Sequence, residues 1–272
     1  MAAFTKAAMQ NSDVFAVVFW RSAVIIFIAL LAARISGESV RPRHWGRLLL
    51  RSTLGLAALT CYFWCLGQIP LGVAATLLKT APLFMVLLAG VVLGVRTRRT
   101  TLPLTVVAFG GVALIVWPSD GFDWSDRATM LGLGAGLAAG FLAALTYLTV
   151  RKLRETDTAS GIVLFFAVFA SIATAPLGLR DGLPELWPQG AYLGAVGLFG
   201  GLGQLGMTRA YRLEKASIIG PLSYTQIVFS FALGILFFAE EIGAGTLAGV
   251  IVVIAAGAFI SRQADARAPA DP

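Results

Sequence analysis

Residues 72–95, GVAATLLKTAPLFMVLLAGVVLGV, decide how the rest of this chain can fold. The stretch is apolar over about 24 residues, which as an α-helix crosses a hydrocarbon layer of about 30 Å. Lys79 and Pro82 interrupt it near its middle. A lysine at this depth costs at least about 2.5–3.5 kcal/mol on insertion scales, and a proline cannot continue the backbone ladder. The combination predicts a membrane helix broken at mid-membrane, as a substrate pathway requires.

Lys79 also has a simpler interpretation, in which its side chain extends along the helix until the ammonium group reaches the membrane surface. The nearest polar turn lies about nine residues away, or roughly 13 Å by helical rise. Because that distance is long for one side chain, we favour a role at mid-membrane.

The composition of the whole chain is that of a membrane protein. Its 272 residues are 58 % hydrophobic and 13 % charged, whereas a soluble domain is about 45–50 % apolar and about 25 % charged. The connections between apolar stretches leave no room for a soluble domain. The sequence therefore predicts an all-α membrane protein. Nine stretches are long enough to span: 13–33, 50–68, 71–95, 100–117, 128–150, 158–178, 189–208, 215–239 and 243–261.

The net charge of +7 reflects topology rather than nucleic-acid binding. When alternate loops are assigned to opposite sides, the basic residues collect on one side, which the positive-inside rule makes cytoplasmic together with the C-terminus. That side holds Arg34, Arg41, Arg43, Arg47, Arg51, Arg96, Arg98, Arg99, Arg151, Lys152, Arg154, Arg209, Arg212, Lys215, Arg262 and Arg267. The other side holds Arg127 and Arg180 with Asp120, Asp123, Asp126, Asp181, Glu185, Glu240 and Glu241.

Neither a metal site nor a cofactor site is predicted. Cys61 and Cys65 lie one turn apart within a span, but two thiols without a buried histidine or carboxylate make a poor metal site. We interpret them as packing residues. Residues 201–206, GLGQLG, match the dinucleotide-binding fingerprint, yet no strand precedes them and they lie in a membrane stretch.

The beginning of the chain predicts an incomplete first helix. Residues 1–12, MAAFTKAAMQNS, are too short to span, and nine spans with a cytoplasmic C-terminus would leave the N-terminus outside. An upstream extension of about 10–20 apolar residues would complete a tenth helix. At the other end, residues 263–272 are expected to form a disordered tail.

Glycines recur at helical spacing in two stretches. Such residues let membrane helices approach closely, because no side chain separates their backbones. They are Gly132, Gly136 and Gly140 in one stretch, and Gly190, Gly194, Gly197 and Gly201 in the other.

The stretch 72–95 has a counterpart later in the chain. At an offset of 145 residues, Lys79 aligns with Tyr224, Thr80 with Thr225 and Phe84 with Phe229. Both copies have a polar stripe broken by proline and followed by an apolar run. Because the repeat contains an odd number of spans, the two copies insert with opposite orientation, which is a transporter architecture.

Three stretches give the chain a family resemblance: IPLGVAATLLKTAPLFMVLLAGVVLG (69–94), FAVVFWRS (15–22) and AYRLEKASIIGPLSYTQIVFSFALGILFFAEE (210–241). They resemble the EamA-type permeases of the drug/metabolite transporter superfamily, and most closely its S-adenosylmethionine-uptake-like subgroup. The resemblance implies two inverted five-helix repeats, 1–117 and 128–262, around a central cavity. Val95 departs from the acidic residue that usually ends the fourth helix, whereas Glu240 keeps it in the second repeat. The implied cavity residues are Arg21, Lys79, Tyr147, Gln204 and Tyr224.

Arg21 and Lys79 are deep cations with no intramembrane carboxylate to neutralise them. They are expected to engage an anionic group of a substrate, with Tyr224 supplying a hydroxyl and an aromatic face. Alternatively, Lys79 carries a proton that it releases when the substrate leaves, because burial disfavours the charged ammonium. Two interpretations, contact with the ligand or an interfacial aromatic belt, are open for Tyr62, Trp64 and Gln68.

These features predict a secondary transporter for a small polar metabolite with a carboxylate or zwitterionic character. The sequence has no Walker motif, so coupling would use a proton gradient or an exchanged substrate. A lipid-handling or regulatory membrane protein is the alternative. An intramembrane enzyme is not predicted, because no nucleophile–base pair or metal cluster lies in the apolar stretches. The expected partners are the small-molecule substrate, the bilayer and a second copy of the chain, but no nucleic acid.

The predicted topology can be tested by labelling introduced cysteines in intact cells. Cysteines at Asp123 and Asp181 are expected to react with an impermeant reagent from outside. Those at Arg98 and Lys152 are expected to react only after permeabilisation. Labelling at Arg98 in intact cells would contradict the assignment.

Overall fold

The computed structural model describes residues 1–92, 101–116, 126–153, 156–180, 182–184, 186–213 and 222–265. These residues form helices and connecting turns, and no strand occurs among them. The fold is therefore the predicted all-α one. In chain order the helices are α1 (Ala2–Ala8), α2 (Val14–Ser36), α3 (Trp45–Gln68), α4 (Leu71–Leu78), α5 (Ala81–Val92), α6 (Thr101–Val116), α7 (Arg127–Leu153), α8 (Ala159–Gly178), α9 (Ala191–Leu213), α10 (Thr225–Phe238) and α11 (Ala244–Asp265).

Four helices in the described ranges are each long and apolar enough to cross a membrane: α2, α3, α7 and α8. The shorter apolar helices include α10 and the broken pair α4 and α5. Every predicted span contains a helix. Several residues of the topology argument lie outside the described residues: Val95, Arg96, Arg98, Arg99, Asp120, Asp123, Arg154, Asp181, Glu185, Lys215 and residues 266–272 of the predicted tail.

The predicted break in residues 72–95 is confirmed. Helix α4 ends at Leu78 and α5 begins at Ala81, so Lys79 is the first residue beyond α4. The Thr80 hydroxyl donates to the Leu77 carbonyl at 2.6 Å, and the Thr80 amide donates to the same carbonyl at 3.1 Å. Pro82 falls in the first turn of α5, where a missing N–H costs no hydrogen bond.

The second repeat has the same local hydrogen bond at the equivalent position. Tyr224 is the residue before α10, and the Thr225 hydroxyl donates to the Leu222 carbonyl at 2.7 Å. Leu222 and Thr225 are the residues that the offset of 145 pairs with Leu77 and Thr80. In both copies a threonine hydroxyl therefore binds a carbonyl beside the interruption.

The chain forms two compact units, of which the first comprises Met1–Gly67 and Leu145–Arg209. In this unit α2 packs along α8, around a core of Ile25, Ala29, Val163, Ala167 and Leu205. Helix α9 contacts α2 through glycines: a Cβ at Gly197 would overlap Val24, and one at Gly201 would lie 2.8 Å from Ile28 Cδ1. The predicted close approach is confirmed at these two glycines, but it is wrong for Gly194, which faces open space.

Polar groups join the α2–α3 connection to the start of α8 in the first unit. The Glu38 carboxylate accepts a hydrogen bond from the Ser160 amide at 3.1 Å. The Thr158 hydroxyl donates to the Ser39 carbonyl at 2.6 Å, and it also accepts from the Gly161 amide as the N-cap of α8. These bonds hold the segment that follows α2 against the start of α8.

The second unit comprises Gln68–Ala144 and Ala210–Pro272. Here α11 packs along α6, and Gly111 and Gly249 allow the contact, because a Cβ at Gly249 would lie 2.5 Å from the Gly111 carbonyl oxygen. Helix α7 approaches the broken turn through Gly140, whose Cβ would overlap the Thr80 hydroxyl. Gly132 likewise leaves room for Gln68, so the predicted close approach is confirmed at Gly132 and Gly140, two of the three predicted glycines of α7.

Helices α4 and α10 pack against each other in the second unit. Gly72 is needed there, because a Cβ at this position would overlap the ring of Phe231. Pro70 precedes α4 and offers no side-chain cap, but both carboxylate oxygens of Glu240 accept a hydrogen bond from the Leu71 amide at 2.9 Å. Ala239, at φ 50°, turns the chain so that Glu240 reaches this position.

Replacing Glu240 with alanine is expected to destabilise the protein, because α4 loses its carboxylate cap. The expected loss is about 1 kcal/mol, the usual effect of an N-cap with a favourable helix-dipole interaction. Thermal unfolding of the detergent-purified protein measures it. Glu240→Gln, which keeps an acceptor oxygen, should lose less, and Glu241→Ala, at an exposed neighbour, should match the wild type.

Candidate functional site

Arg21 and Gln204, two of the predicted cavity residues, contact each other in the first unit. Arg21 lies in α2 and is only 5 % exposed. Its Nη2 donates to Oε1 of Gln204, which lies in α9, at 3.1 Å. The two residues are 183 positions apart in the sequence. Packing of α9 against α2 therefore brings together side chains that the resemblance named separately.

The backbone of α9 makes room for the Arg21 side chain at Gly200. A Cβ there would lie 3.0 Å from Arg21 Nε and 3.0 Å from Met1 Sδ. Contacts that close are rare for real Cβ atoms, so even an alanine would displace the arginine. Gly200 precedes Gln204 by one helical turn, which places the open position and the amide on the same face of α9.

Arg21 has no acidic partner among the residues that the structure describes. Its Nε and Nη1 atoms are buried without a hydrogen bond, and its Cζ lies 6.0 Å from the centroid of the Phe63 ring. A buried charge is costly unless it is paired. The guanidinium therefore has unused donors in a place where an anion would be held strongly.

Arg51 is a second buried arginine in the same unit, and its burial was not predicted from the sequence. The positive-inside argument counted it on the cytoplasmic side, although it falls within the predicted span 50–68. In the structure it lies inside α3, is 8 % exposed, and has its Cζ 4.3 Å from the centroid of the Phe166 ring. Its Nε and Nη1 atoms are buried without a hydrogen bond. Because α3 begins at Trp45, Arg51 lies within the second turn of the helix rather than in the preceding connection.

The sequence did contain a signal for Arg51. Residues 48–50, LLL, precede it, and the predicted span 50–68 contains it, so the sequence already placed Arg51 within an apolar helix. Sorting charges by their distance from a span end cannot distinguish an arginine directed to the surface from one directed inward. Gly55, one turn later, leaves the space that the arginine uses: a Cβ there would lie 3.7 Å from Arg51 Nη1 and 3.3 Å from the Phe166 ring.

Other buried polar groups occur in the same unit as the two arginines. The Arg21 and Arg51 charges lie close enough to repel each other, and Tyr147, 42 % exposed, lies close enough to act on the Arg51 charge. Tyr62 is only 2 % exposed, so its ring does not belong to a lipid-facing aromatic belt. Three buried hydroxyls lack a partner in the described part of the chain, those of Ser22, Ser52 and Tyr62.

Lys79 and Tyr224, the remaining predicted cavity residues, belong to the second unit. Tyr224 is 2 % exposed, and its hydroxyl packs on Gly257 of α11. Lys79 follows Gly72 by seven residues, and Tyr224 precedes Phe231 by seven. Because Gly72 and Phe231 touch, both interruptions lie roughly 10 Å of helical rise from that contact. The predicted role of this pair, and that of Arg21 with Lys79, stay predictions.

Metal ligands are not gathered anywhere in the described part of the chain: no group of three histidine, cysteine, aspartate or glutamate side chains occurs there. Cys61 and Cys65 are free thiols. Residues 201–206, which match the dinucleotide fingerprint, are part of the continuous helix α9, with Gly201 packed on α2 rather than open to a phosphate. What the first unit offers chemically is a set of buried guanidinium N–H donors without partners in the described residues, which suit an anionic group.

The sequence of this chain is similar to those of known transporters. The pseudopaline exporter of Pseudomonas aeruginosa is 32 % identical over 263 residues, covering 96 % of this chain and 91 % of its own length. A riboflavin transporter of Brucella anthropi is 25 % identical over 257 residues, covering 91 % of this chain and 87 % of its own. Both similarities extend through nearly the whole length of each chain.

A solved crystal structure has the same fold, with a TM-score of 0.69 at 18 % identity, covering 97 % of this chain and 92 % of the other. The EamA-like transporter family matches residues 1–117 and 130–262. The matched segments leave out little beyond a short connection and the C-terminal tail. This chain belongs to the EamA-like transporter family and is a multi-pass membrane transporter.

Proposed function

We propose that this protein is a secondary transporter that moves a small polar metabolite, bearing a carboxylate or zwitterionic, across the cytoplasmic membrane by alternating access. The proposal rests on the burial of Arg21. Its guanidinium group binds Gln204 through Nη2, while its Nε and Nη1 atoms have no hydrogen-bond partner in the described residues. A carboxylate suits the fork geometry of arginine, and the Gln204 amide can hold the arginine in position while the site is empty.

The relatives support the transporter part of this proposal. The names of two of them, an exporter of pseudopaline and a transporter of riboflavin, describe the movement of small molecules. The exporter makes outward transport the first direction to test. The equivalent hydroxyl bonds of Thr80 and Thr225 support two inverted repeats, 1–117 and 128–262, moving around a shared site. The C-terminus is proposed to be cytoplasmic, as the basic residues indicate.

Counterflow in proteoliposomes tests the function. Vesicles loaded with pooled cell metabolites should accumulate labelled members of a metabolite panel, and anionic or zwitterionic members should be favoured. Purified protein that binds lipid but shows no counterflow with any pool would instead favour a lipid-handling role.

Arg21→Met is expected to lower the apparent affinity about tenfold or more, the usual effect of losing a charge-assisted hydrogen bond. Arg21→Lys should keep part of the affinity, because the charge remains without the fork geometry. Arg34→Met, an exposed arginine on the same helix, is the control. Equal transport by the Met variants at both positions would contradict the role of Arg21.

Gly200→Ala tests the same site without removing a charge. The new methyl group would lie 3.0 Å from Arg21 Nε, so we expect weaker substrate affinity with a normal amount of folded protein. Gly203→Ala is the matched control on α9, since nothing lies within 4 Å of the position of its Cβ. Similar kinetics for the two alanine variants would show that crowding Arg21 is harmless.

Lys79 has two candidate roles that substitutions separate. If it only binds an anionic group, Lys79→Arg should retain much of the transport and Lys79→Met should weaken affinity. If it carries the coupling proton, Lys79→Arg should abolish gradient-driven transport and leave exchange intact. Unchanged transport and affinity in Lys79→Met would show that the lysine has neither role.

A further inference from the structure

We propose that Arg21 and Arg51 are two anion subsites of one binding site, so that the transported metabolite carries two separated carboxylate-type groups. This inference rests on the proposed function and deepens it. Arg21 alone accounts for one anionic group. Arg51 adds a second buried guanidinium in the same unit, which nothing else in the described residues neutralises.

The two arginines have the same kind of environment. Each is more than nine-tenths buried, and each has Nε and Nη1 atoms without a hydrogen-bond partner. Each guanidinium also lies near an aromatic ring, Phe63 for Arg21 and Phe166 for Arg51. A ring attracts the cation but leaves the in-plane N–H donors unused. Those donors point to a ligand oxygen as the missing partner at both positions.

Two like charges buried in one unit favour a ligand with more than one negative charge. The Nε and Nη1 atoms of Arg21 and Arg51 have no hydrogen-bond partner, acidic or other, among the described residues. A singly charged ligand would leave one guanidinium uncompensated in a poorly hydrated interior, where an unpaired charge costs several kcal/mol. A doubly charged ligand compensates both.

The spacing of the arginines favours an elongated ligand. Arg51 is six residues after the start of α3, and Arg21 is fifteen residues before the end of α2, with the α2–α3 connection joining these two helix ends. By helical rise their Cα atoms differ by roughly 13 Å in depth. Two carboxylates joined by a short chain suit this Cα separation better than one small anion such as phosphate.

Each subsite has its own polar neighbours. Gln204 binds the Arg21 guanidinium, and Tyr147 lies near Arg51. The helices that carry the two arginines also contain buried hydroxyls without a partner in the described residues, those of Ser22, Ser52 and Tyr62. Gln204 and Tyr147 therefore give each arginine one polar neighbour of its own.

Thermal unfolding of the purified full-length protein with defined probes tests the proposal. The probes are unbranched α,ω-dicarboxylates from succinate to azelate, each compared with the monocarboxylate of the same length at constant ionic strength. We expect one chain length to raise the melting temperature more than its monocarboxylate. Arg51→Met should weaken that dicarboxylate about tenfold or more, leave the monocarboxylate effect in place, and so remove the preference. Arg51→Lys should restore part of it, and Arg34→Met should leave it unchanged.

The ligand-free protein provides a second readout. If the Arg51 charge is unpaired until an anionic ligand binds, the Arg51→Met variant should melt at or above the wild-type temperature. The substitution removes an uncompensated buried charge. If Arg51 has a structural role instead, the variant should melt lower. A lower melting temperature together with an unchanged dicarboxylate preference would overturn the proposal.

Failure of this inference can be told apart from failure of the proposed function. If no dicarboxylate exceeds its monocarboxylate, or if Arg51→Met keeps the preference, the two-subsite proposal is wrong. In that case, counterflow that depends on Arg21 but not on Arg51 would still support the transporter function. Absence of counterflow for every metabolite pool, with dicarboxylate binding intact, would refute the proposed function and leave the two subsites standing.

Discussion

The cost of an unpaired charge away from water is the constraint on which the site in this protein depends. Arg21 and Arg51 are buried in one unit of an apolar helical protein, each beside an aromatic ring and with N–H donors that nothing in the described residues accepts. Such groups weaken the folded state. Under the proposed function the same electrostatic energy serves ligand recognition, since an anionic ligand would gain the hydrogen bonds that the empty protein lacks.

The helices hold these charges through small residues. Gly200 and Gly55 leave space beside the two guanidinium groups, and Gly197 and Gly201 bring α9 close enough to α2 for Gln204 to bind Arg21. In the second unit, Gly140 approaches the interrupted turn around Thr80 in the same manner. Where backbones pack this closely, hydrogen bonds and van der Waals contacts replace the hydrophobic effect, which lipid does not supply.

Much of the fold could be predicted from the sequence, because hydropathy reports directly on the membrane. The break at Lys79 followed from Pro82, and the helix contacts of Gly197 and Gly201 followed from their spacing. The bond between Arg21 and Gln204 could not be predicted, because it depends on how two distant helices are rotated. The burial of Arg51 could not be predicted for a related reason: counting charges near a span end ignores which way a side chain points. Gly194 shows the reverse error, since regular spacing alone does not bury a residue.

The carboxylate cap on α4 makes the two halves of the molecule unequal. Glu240 binds the Leu71 amide, and its equivalent at the offset of 145 is Val95, which has no acceptor to offer a helix end. A perfectly symmetric inverted repeat would have two end states of equal energy. Under the proposed alternating access, the carboxylate of Glu240 opposite the apolar side chain of Val95 would make those two states unequal, and a single side chain would then adjust the balance between them.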